Sequence, residues 1–200
     1  GRHHLLFFCL EAINQNEKSP LGKEVIQRIV DNDLLAREKC LPICQDTGVV
    51  VCFVKVGYDV HFDGDLYAAI NEGVANAYTK GYLRKSVVRD PIYRENTKDN
   101  TPAVIHYSIV PGDNVTITVA PKGFGSENMS RVFMLKPSDG IEGVKNAVMT
   151  AVKDAGPNAC PPMVVGVGIG GTFEKCALLA KKALTRPVNE HSSIPYVKEM

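Results

Sequence analysis

No apolar run in this 200-residue chain approaches the roughly 18 residues that a membrane helix needs, so a membrane partner is not expected. No charge of one sign dominates. The 23 Lys plus Arg stand against 22 Asp plus Glu for a net charge of +1, a balance without a phosphate-seeking field, so nucleic acid is not the expected partner either. The opening Gly1 to Leu10 has too short an apolar stretch, and no small-residue cleavage site before Glu11, to make a secretory signal. It is read as part of a first helix. Without an export signal the six cysteines read as reduced thiols rather than a disulfide framework, which places the chain in the cytoplasm. Internal repeats and low-complexity segments are absent from the sequence as well.

What is present is a globular composition, 44% hydrophobic and 22% charged, in a length suited to one domain with its own core. Ser19-Pro20 reads as N-cap and first helical residue of a helix through Glu38, with Val25, Ile26, Ile29 and Val30 at helical spacing. Val49 to Val56 is β-branched and almost wholly apolar, as in a strand buried on both faces. Asp65 to Tyr82 carries the one-sided stripe Leu66, Ala69, Ile70, Val74, Ala77 and Tyr78, a second helix ending near Gly81. Residues 86–101 are polar and irregular, too long for a plain connection, which suggests a binding role or an exposed excursion. Ala103 to Val110 and Val115 to Val119, joined by Pro111-Gly112-Asp113-Asn114, predict a hairpin. Asp139 to Asp154 predicts a helix with Glu142 as capping partner; Met163 to Ile169 predicts a core strand, and Thr172 to Leu184 a helix after it. The fold class is α/β, with α+β as the alternative: a mixed sheet with flanking helices in a single domain.

Two glycine-rich turns suit anions, the alternatives being tight strand-to-helix packing for the turn 167–172 and a plain flexible surface loop for 122–128. Val167 to Thr172 brings a strand through Gly170-Gly171 into a helix whose first N–H groups are free, but its spacing is not that of the dinucleotide fingerprint. Lys122 to Asn128 combines a cation with small residues, without the Lys-Ser/Thr pair of a nucleotide P-loop. Cys44 and Cys160 each lie on a loop beside a strand end, where a thiolate is open to a metal. Cys52, in the apolar strand, and Cys176, in the helix, read as core fillers, as does Cys9. Cys40 and Cys44 form a C-x-x-x-C pair that could begin a zinc site, although no second close pair follows. The histidines His3, His4, His61, His106 and His191 stand in no nucleophile context, and His106 reads as a structural residue of a strand. Arg84, after the second helix, is placed to hold a carboxylate through its guanidinium, with a solvated basic stretch as the alternative.

Taken in order, Cys44-Gln45-Asp46-Thr47-Gly48, Leu83-Arg84-Lys85-Ser86, Asn100-Thr101-Pro102-Ala103, Lys122-Gly123-Phe124-Gly125-Ser126-Glu127-Asn128, Cys160-Pro161-Pro162 and Gly170-Gly171-Thr172 resemble the class I fumarate hydratases and tartrate dehydratases. The resemblance runs from about Ser19 to Arg186. Glu127 and Ser138-Asp139-Gly140 make it closer to the separate alpha subunit of the two-chain enzymes than to the fused form. It implies an oxygen-sensitive hydro-lyase with a 4Fe-4S cluster held by three cysteines, the fourth iron being open to substrate. Cys44 and Cys160 match two of these ligands, and the third is expected beyond Met200. Gln45 and Asp46 match substrate-contacting positions, Arg84 a carboxylate-binding arginine, and Gly125 the glycine-loop position beside the ligand. Phe124 stands where the family usually carries a small residue. Asp46, adjacent to a ligand cysteine, is the candidate catalytic acid or base.

The resulting expectation is a hydro-lyase alpha-type domain over residues 1–186, with 187–200 as a tail or linker toward a missing C-terminal part. It would act on a small dicarboxylate, fumarate to malate first and tartrate second, as part of an oligomer. The resemblance also implies a beta subunit or C-terminal domain of the same enzyme, without which the isolated chain would be inactive. The rival readings are a non-catalytic assembly module and a zinc-binding domain built on Cys40 and Cys44.

Overall fold

The computed structural model describes residues 10–187 and 189–200. The expected start of a first helix, with His3, His4 and Cys9, lies outside the described residues, although residues 10–16 are helical. In chain order the elements are α1 (Pro20–Lys39), β1 (Val49–Gly57), α2 (Leu66–Lys80), β2 (Val104–Val110), β3 (Val115–Lys122), the short α3 (Phe124–Glu127), α4 (Gly140–Ala155), α5 (Phe173–Ala183) and α6 (Pro195–Glu199). Helices with a mixed sheet bear out the α/β class. They fall into two compact units, Gly1–Ile43 with Met129–Met200, and Cys44–Asn128.

The Cys44–Asn128 unit is built on β1, the middle strand of the order β2-β1-β3. β1 runs parallel to β2, with α2 as the crossover between them, and antiparallel to β3. One face of β1 is buried throughout, while on the other Val51 is buried, Val49 and Phe53 are half-buried and Lys55 is exposed, so the strand is covered on both faces only over part of its length. Val50, Cys52, Val54 and Val56 on one face pack with Val74 and Tyr78 of α2 and with Ala103. Cys52 is 1% exposed, the core filler expected from its strand. On the opposite face Phe53 stacks on His106 of β2, ring centroids 5.3 Å apart, the structural histidine expected there. Asp65 caps α2, its carboxylate accepting the Ala68 N–H at 3.1 Å.

The predicted hairpin is corrected by this order. β2 and β3 do not pair; both pair with β1, and the connection 111–114 passes across the end of the middle strand. Gly57 N–H donates to the Asn114 carbonyl and Asp59 N–H to the Gly112 carbonyl. A Cβ on Gly57 would fall 2.1 Å from the Gly112 oxygen, so only glycine lets the connection cross there. A turn sequence between two alternating segments looks the same whether the strands are neighbours or next-nearest neighbours.

In the other unit, Ser19 Oγ accepts the Gly22 N–H at the start of α1, with Pro20 in its first turn, as its sequence predicts. Cys40 ends that helix in the left-handed region, φ 54°, its N–H turned back to Ala36 and Arg37. α4 begins differently from expectation. No side chain caps its first turn: the Asp139 carboxylate accepts the Lys136 N–H at 2.7 Å and so closes the preceding 3-10 turn Pro137–Asp139, while Glu142 pairs with Lys145. Met163 to Ile169 forms neither helix nor ladder among the described residues, which corrects the predicted core strand. Its backbone lies instead against α5: a Cβ on Gly166 would meet the Ala180 carbonyl at 2.3 Å, and one on Gly168 the Cys176 carbonyl at 2.1 Å. No helix among the described residues is long and apolar enough to cross a membrane.

Candidate active site

The loop Cys44–Gly48 leads into β1 and is tied to three other segments of its unit. Asp46 Oδ2 accepts the Gly125 N–H at 3.1 Å, which fastens the loop to the glycine-rich turn opening α3. That turn's near side packs closely on the loop: a Cβ on Gly123 would lie 3.3 Å from both the Asp46 carbonyl and carboxylate oxygens, a tight contact. Thr47 Oγ1 accepts the Arg84 N–H at 3.0 Å and donates to the Arg84 carbonyl at 3.2 Å. Gly48, φ +59°, is pressed against β3's end so closely that a Cβ would stand 1.8 Å from the Lys122 carbonyl oxygen. The turn before β1 can therefore be made only by a residue without a side chain.

Asn100 supplies the remaining tie. It is fully buried, in the left-handed region at φ 65°, where asparagine is among the few residues tolerated. Its Oδ1 accepts the Ser86 and Val87 N–H groups at 2.7 and 3.0 Å, and its Nδ2 donates to the Gly48 carbonyl at 2.8 Å. Asp99, just before it, accepts the Thr101 N–H and hydroxyl, and these bonds hold its carboxyl below the usual range. Below the loop, the Tyr78 hydroxyl donates to the Thr47 carbonyl at 2.7 Å. Burial pushes the Tyr78 phenol up, the Thr47 side chain works against that, and the Asp46 carboxylate adds to the rise.

Four of the sequence-predicted residues, Cys44, Gln45, Asp46 and Gly125, thus meet around one loop, and the backbone of Arg84 is fastened to the same loop through Thr47. Cys44 is half-buried; its Sγ accepts the Asp46 N–H at 3.4 Å and its thiol faces Gln45 Oε1 at 3.4 Å. Gln45 and Arg84 are exposed. Cys160 belongs to the other unit. It is exposed, at φ 59°, and ends the 3-10 turn Gly156–Ala159 just before Pro161-Pro162.

The glycine-rich segments differ from their sequence readings in charge. Lys122 Nζ lies 2.6 Å from Ser126 Oγ and 3.5 Å from Glu127, so the cation of that loop is held by its own neighbours. At the start of α5 the Thr172 hydroxyl donates to Glu174, whose carboxyl is held below its ordinary range by that bond. A carboxylate of the chain therefore already stands at that helix's first turn. The sequence assigns no site role to Thr47, Tyr78 or Asn100. The available signals were an aromatic hydroxyl on an otherwise apolar helix stripe, which needs a partner when buried, and an asparagine inside an irregular segment.

The donor chemistry fits an iron-sulfur ligand at Cys44: a loop sulfur that already receives a backbone N–H, an interaction that strengthens when the sulfur is a thiolate. Among the described residues Cys40, Cys44, Cys52, Cys160 and Cys176 are free, and no group of three or more His, Cys, Asp or Glu is placed to hold a metal.

Comparison with known proteins returns a consistent picture. The sequence profile of fumarate hydratase (Fumerase) matches residues 6–200. A Methanocaldococcus jannaschii protein named "Putative L(+)-tartrate dehydratase subunit alpha" is 43% identical over 189 residues, covering 91% of this chain and 66% of that protein. The L(+)-tartrate dehydratase subunit alpha of Escherichia coli strain UTI89 is 36% identical over 196 residues, 96% of this chain and 64% of the relative. Its counterpart in strain K12 is 35% identical over the same length. The chain spans just under two thirds of the length of these curated relatives.

Proposed function

The chain belongs to the fumarate hydratase (Fumerase) family, and from that premise we propose that it is the alpha part of a hydro-lyase acting on a small hydroxy-dicarboxylate. The observation that carries the proposal is the Asp46 carboxylate, anchored by the Gly125 N–H on a loop that also holds Cys44 and fixes the backbone of Arg84. Fumarate hydration to malate is the first reading, supported by the matched family profile. L(+)-tartrate dehydration is the second, favoured by the names of the relatives.

Asp46 is the group we assign to proton transfer. Moving a proton at the carbon next to a carboxylate needs a base of fixed position, and the hydrogen bond to Oδ2 holds this carboxylate in place without removing its charge. Loss of that proton spreads negative charge into the substrate carboxylate. A guanidinium matches a carboxylate with two parallel N–H bonds, so Arg84 serves as the clamp that stabilises this charge. Gln45 supplies a neutral amide beside it for orienting hydroxyl or carboxylate oxygens. Gly125, lacking a side chain, leaves room for substrate beside the acid.

A 4Fe-4S cluster, when bound, supplies an open iron that polarises the substrate hydroxyl as a Lewis acid. Cys44 and Cys160 are the residues of this chain that would hold it, with a third cysteine from outside these residues. The partner we assign is a beta subunit, as the alpha-subunit names of the relatives suggest, and the free thiols accord with a cytoplasmic enzyme. The test is an anaerobic assay of the full-length alpha chain with its beta partner, following fumarate absorbance and L(+)-tartrate consumption. Turnover of either substrate is the expected result; turnover of neither overturns the proposal.

A further inference from the structure

Arg84 lies outside every helix and strand, so no ladder fixes its backbone. Both of its peptide groups are nevertheless held by one side chain, the hydroxyl of Thr47, which accepts from the N–H at 3.0 Å and donates to the carbonyl at 3.2 Å. Thr47 follows Asp46 directly, and its own carbonyl is held from below by the Tyr78 hydroxyl at 2.7 Å. The next residues of the arginine segment hang in the same way from Asn100, which links Ser86 and Val87 to Gly48. The arginine segment is thus fastened at two adjacent points, to Thr47 directly and to Gly48 through Asn100.

We infer, resting on the hydro-lyase reading above, that Thr47 is a positioning residue: its hydroxyl sets the place of the Arg84 clamp relative to the Asp46 acid or base. A hydroxyl is suited to the task because it donates and accepts at one atom. Valine has nearly the same shape and can do neither, so it would leave the Arg84 N–H and carbonyl without this partner. Serine keeps the hydroxyl. Displacing a substrate clamp by about 1 Å can cost on the order of a hundredfold in rate.

The experiment uses the full-length alpha chain with its beta partner, assayed anaerobically with fumarate and L(+)-tartrate. Thr47→Val is expected to lower kcat on the order of tenfold to a hundredfold with a smaller change in KM, and Thr47→Ser to restore kcat to within about threefold of wild type. In an Arg84→Ala background, Thr47→Val is expected to change kcat/KM by less than about twofold, because the group it places is gone. Equal fold losses in the two backgrounds would mean that Thr47 supports the fold without placing Arg84, and would overturn the inference alone. A wild-type assembly that turns over neither substrate overturns the proposed function and this inference with it. Should Thr47→Val fail to assemble, Thr47→Ala, which removes the hydroxyl without a second methyl in its place, carries the same cycle to the same two outcomes.

Discussion

The carboxylate of Asp46 accepts the backbone N–H of Gly125 at 3.1 Å, across 79 positions of sequence. The bond joins the loop before the central strand to the loop after an edge strand, and in doing so fixes a carboxylate beside a glycine turn. Asp46→Asn keeps an oxygen for that N–H and removes only the charge. Turnover is expected to fall by roughly a hundredfold to ten-thousandfold, the range for loss of a general acid or base, with the melting temperature little changed. Anaerobic kinetics paired with thermal melts read both quantities; unchanged turnover would remove Asp46 from proton transfer.

Asn100 should be the costliest polar side chain of the second unit to remove. Asn100→Ala leaves the Ser86 and Val87 N–H groups and the Gly48 carbonyl without it in a buried place. Leaving a buried group unsatisfied costs about 1–3 kcal/mol, so a loss of about 3 kcal/mol or more is expected in urea unfolding. A loss below about 1 kcal/mol would show that the two segments are held by other contacts.

Glycine substitutions should divide sharply by location. Gly48→Ala places a Cβ 1.8 Å from the Lys122 carbonyl oxygen at a positive φ, and is expected to destabilise by about 3 kcal/mol or more. Gly73→Ala, in the middle of α2 with nothing within 4 Å of the added Cβ, is expected to stabilise by about 0.5–1 kcal/mol. Denaturation midpoints of the two variants, moving in opposite directions, check the packing of the loop against β3.

Alkaline pH should weaken the second unit through two buried groups. Burial pushes the Cys52 thiol above its ordinary value of 9.0 and, as the largest cause, the Tyr78 phenol above 10.0. Between those values and the folded ones the unfolded chain releases protons that the folded chain retains, so stability falls as pH rises. Below about pH 9 neither group contributes a pH dependence. The urea midpoint should therefore drop from pH 8 to pH 10.5, and Tyr78→Phe with Cys52→Val should flatten that slope. An unaltered slope in the double variant would assign the alkaline loss elsewhere.

The elements with one-sided or continuous apolar patterns were legible in the sequence. Ser19-Pro20 marked the start of α1, Asp65 that of α2, and the run Val49 to Val56 a strand buried between neighbours. The strand order was not legible, because the turn before Asn114 carries the same residues whether it joins paired strands or crosses over Gly57. Met163 to Ile169 has a strand's composition, but Gly166 and Gly168 let its backbone press on α5 instead of joining a ladder. At the candidate site, Asp46, Arg84 and Gly125 are picked out by the motifs that carry the family resemblance, and the structure ties Asp46 to Gly125 and the Arg84 backbone to Thr47. Thr47 and Asn100 were not assigned, since their work is to bind backbone groups 37 and 52 residues away, a relationship that side-chain type does not announce.

The most direct test is of the two loop thiols. The full-length alpha chain with its beta partner is reconstituted anaerobically with iron and sulfide, as wild type and as Cys44→Ser and Cys160→Ser, and the cluster's visible absorption is recorded with turnover of fumarate and L(+)-tartrate. The account predicts that each substitution sharply reduces both absorption and turnover, while Cys52→Val, in the core, leaves absorption intact. Full absorption and full turnover in both serine variants would contradict it.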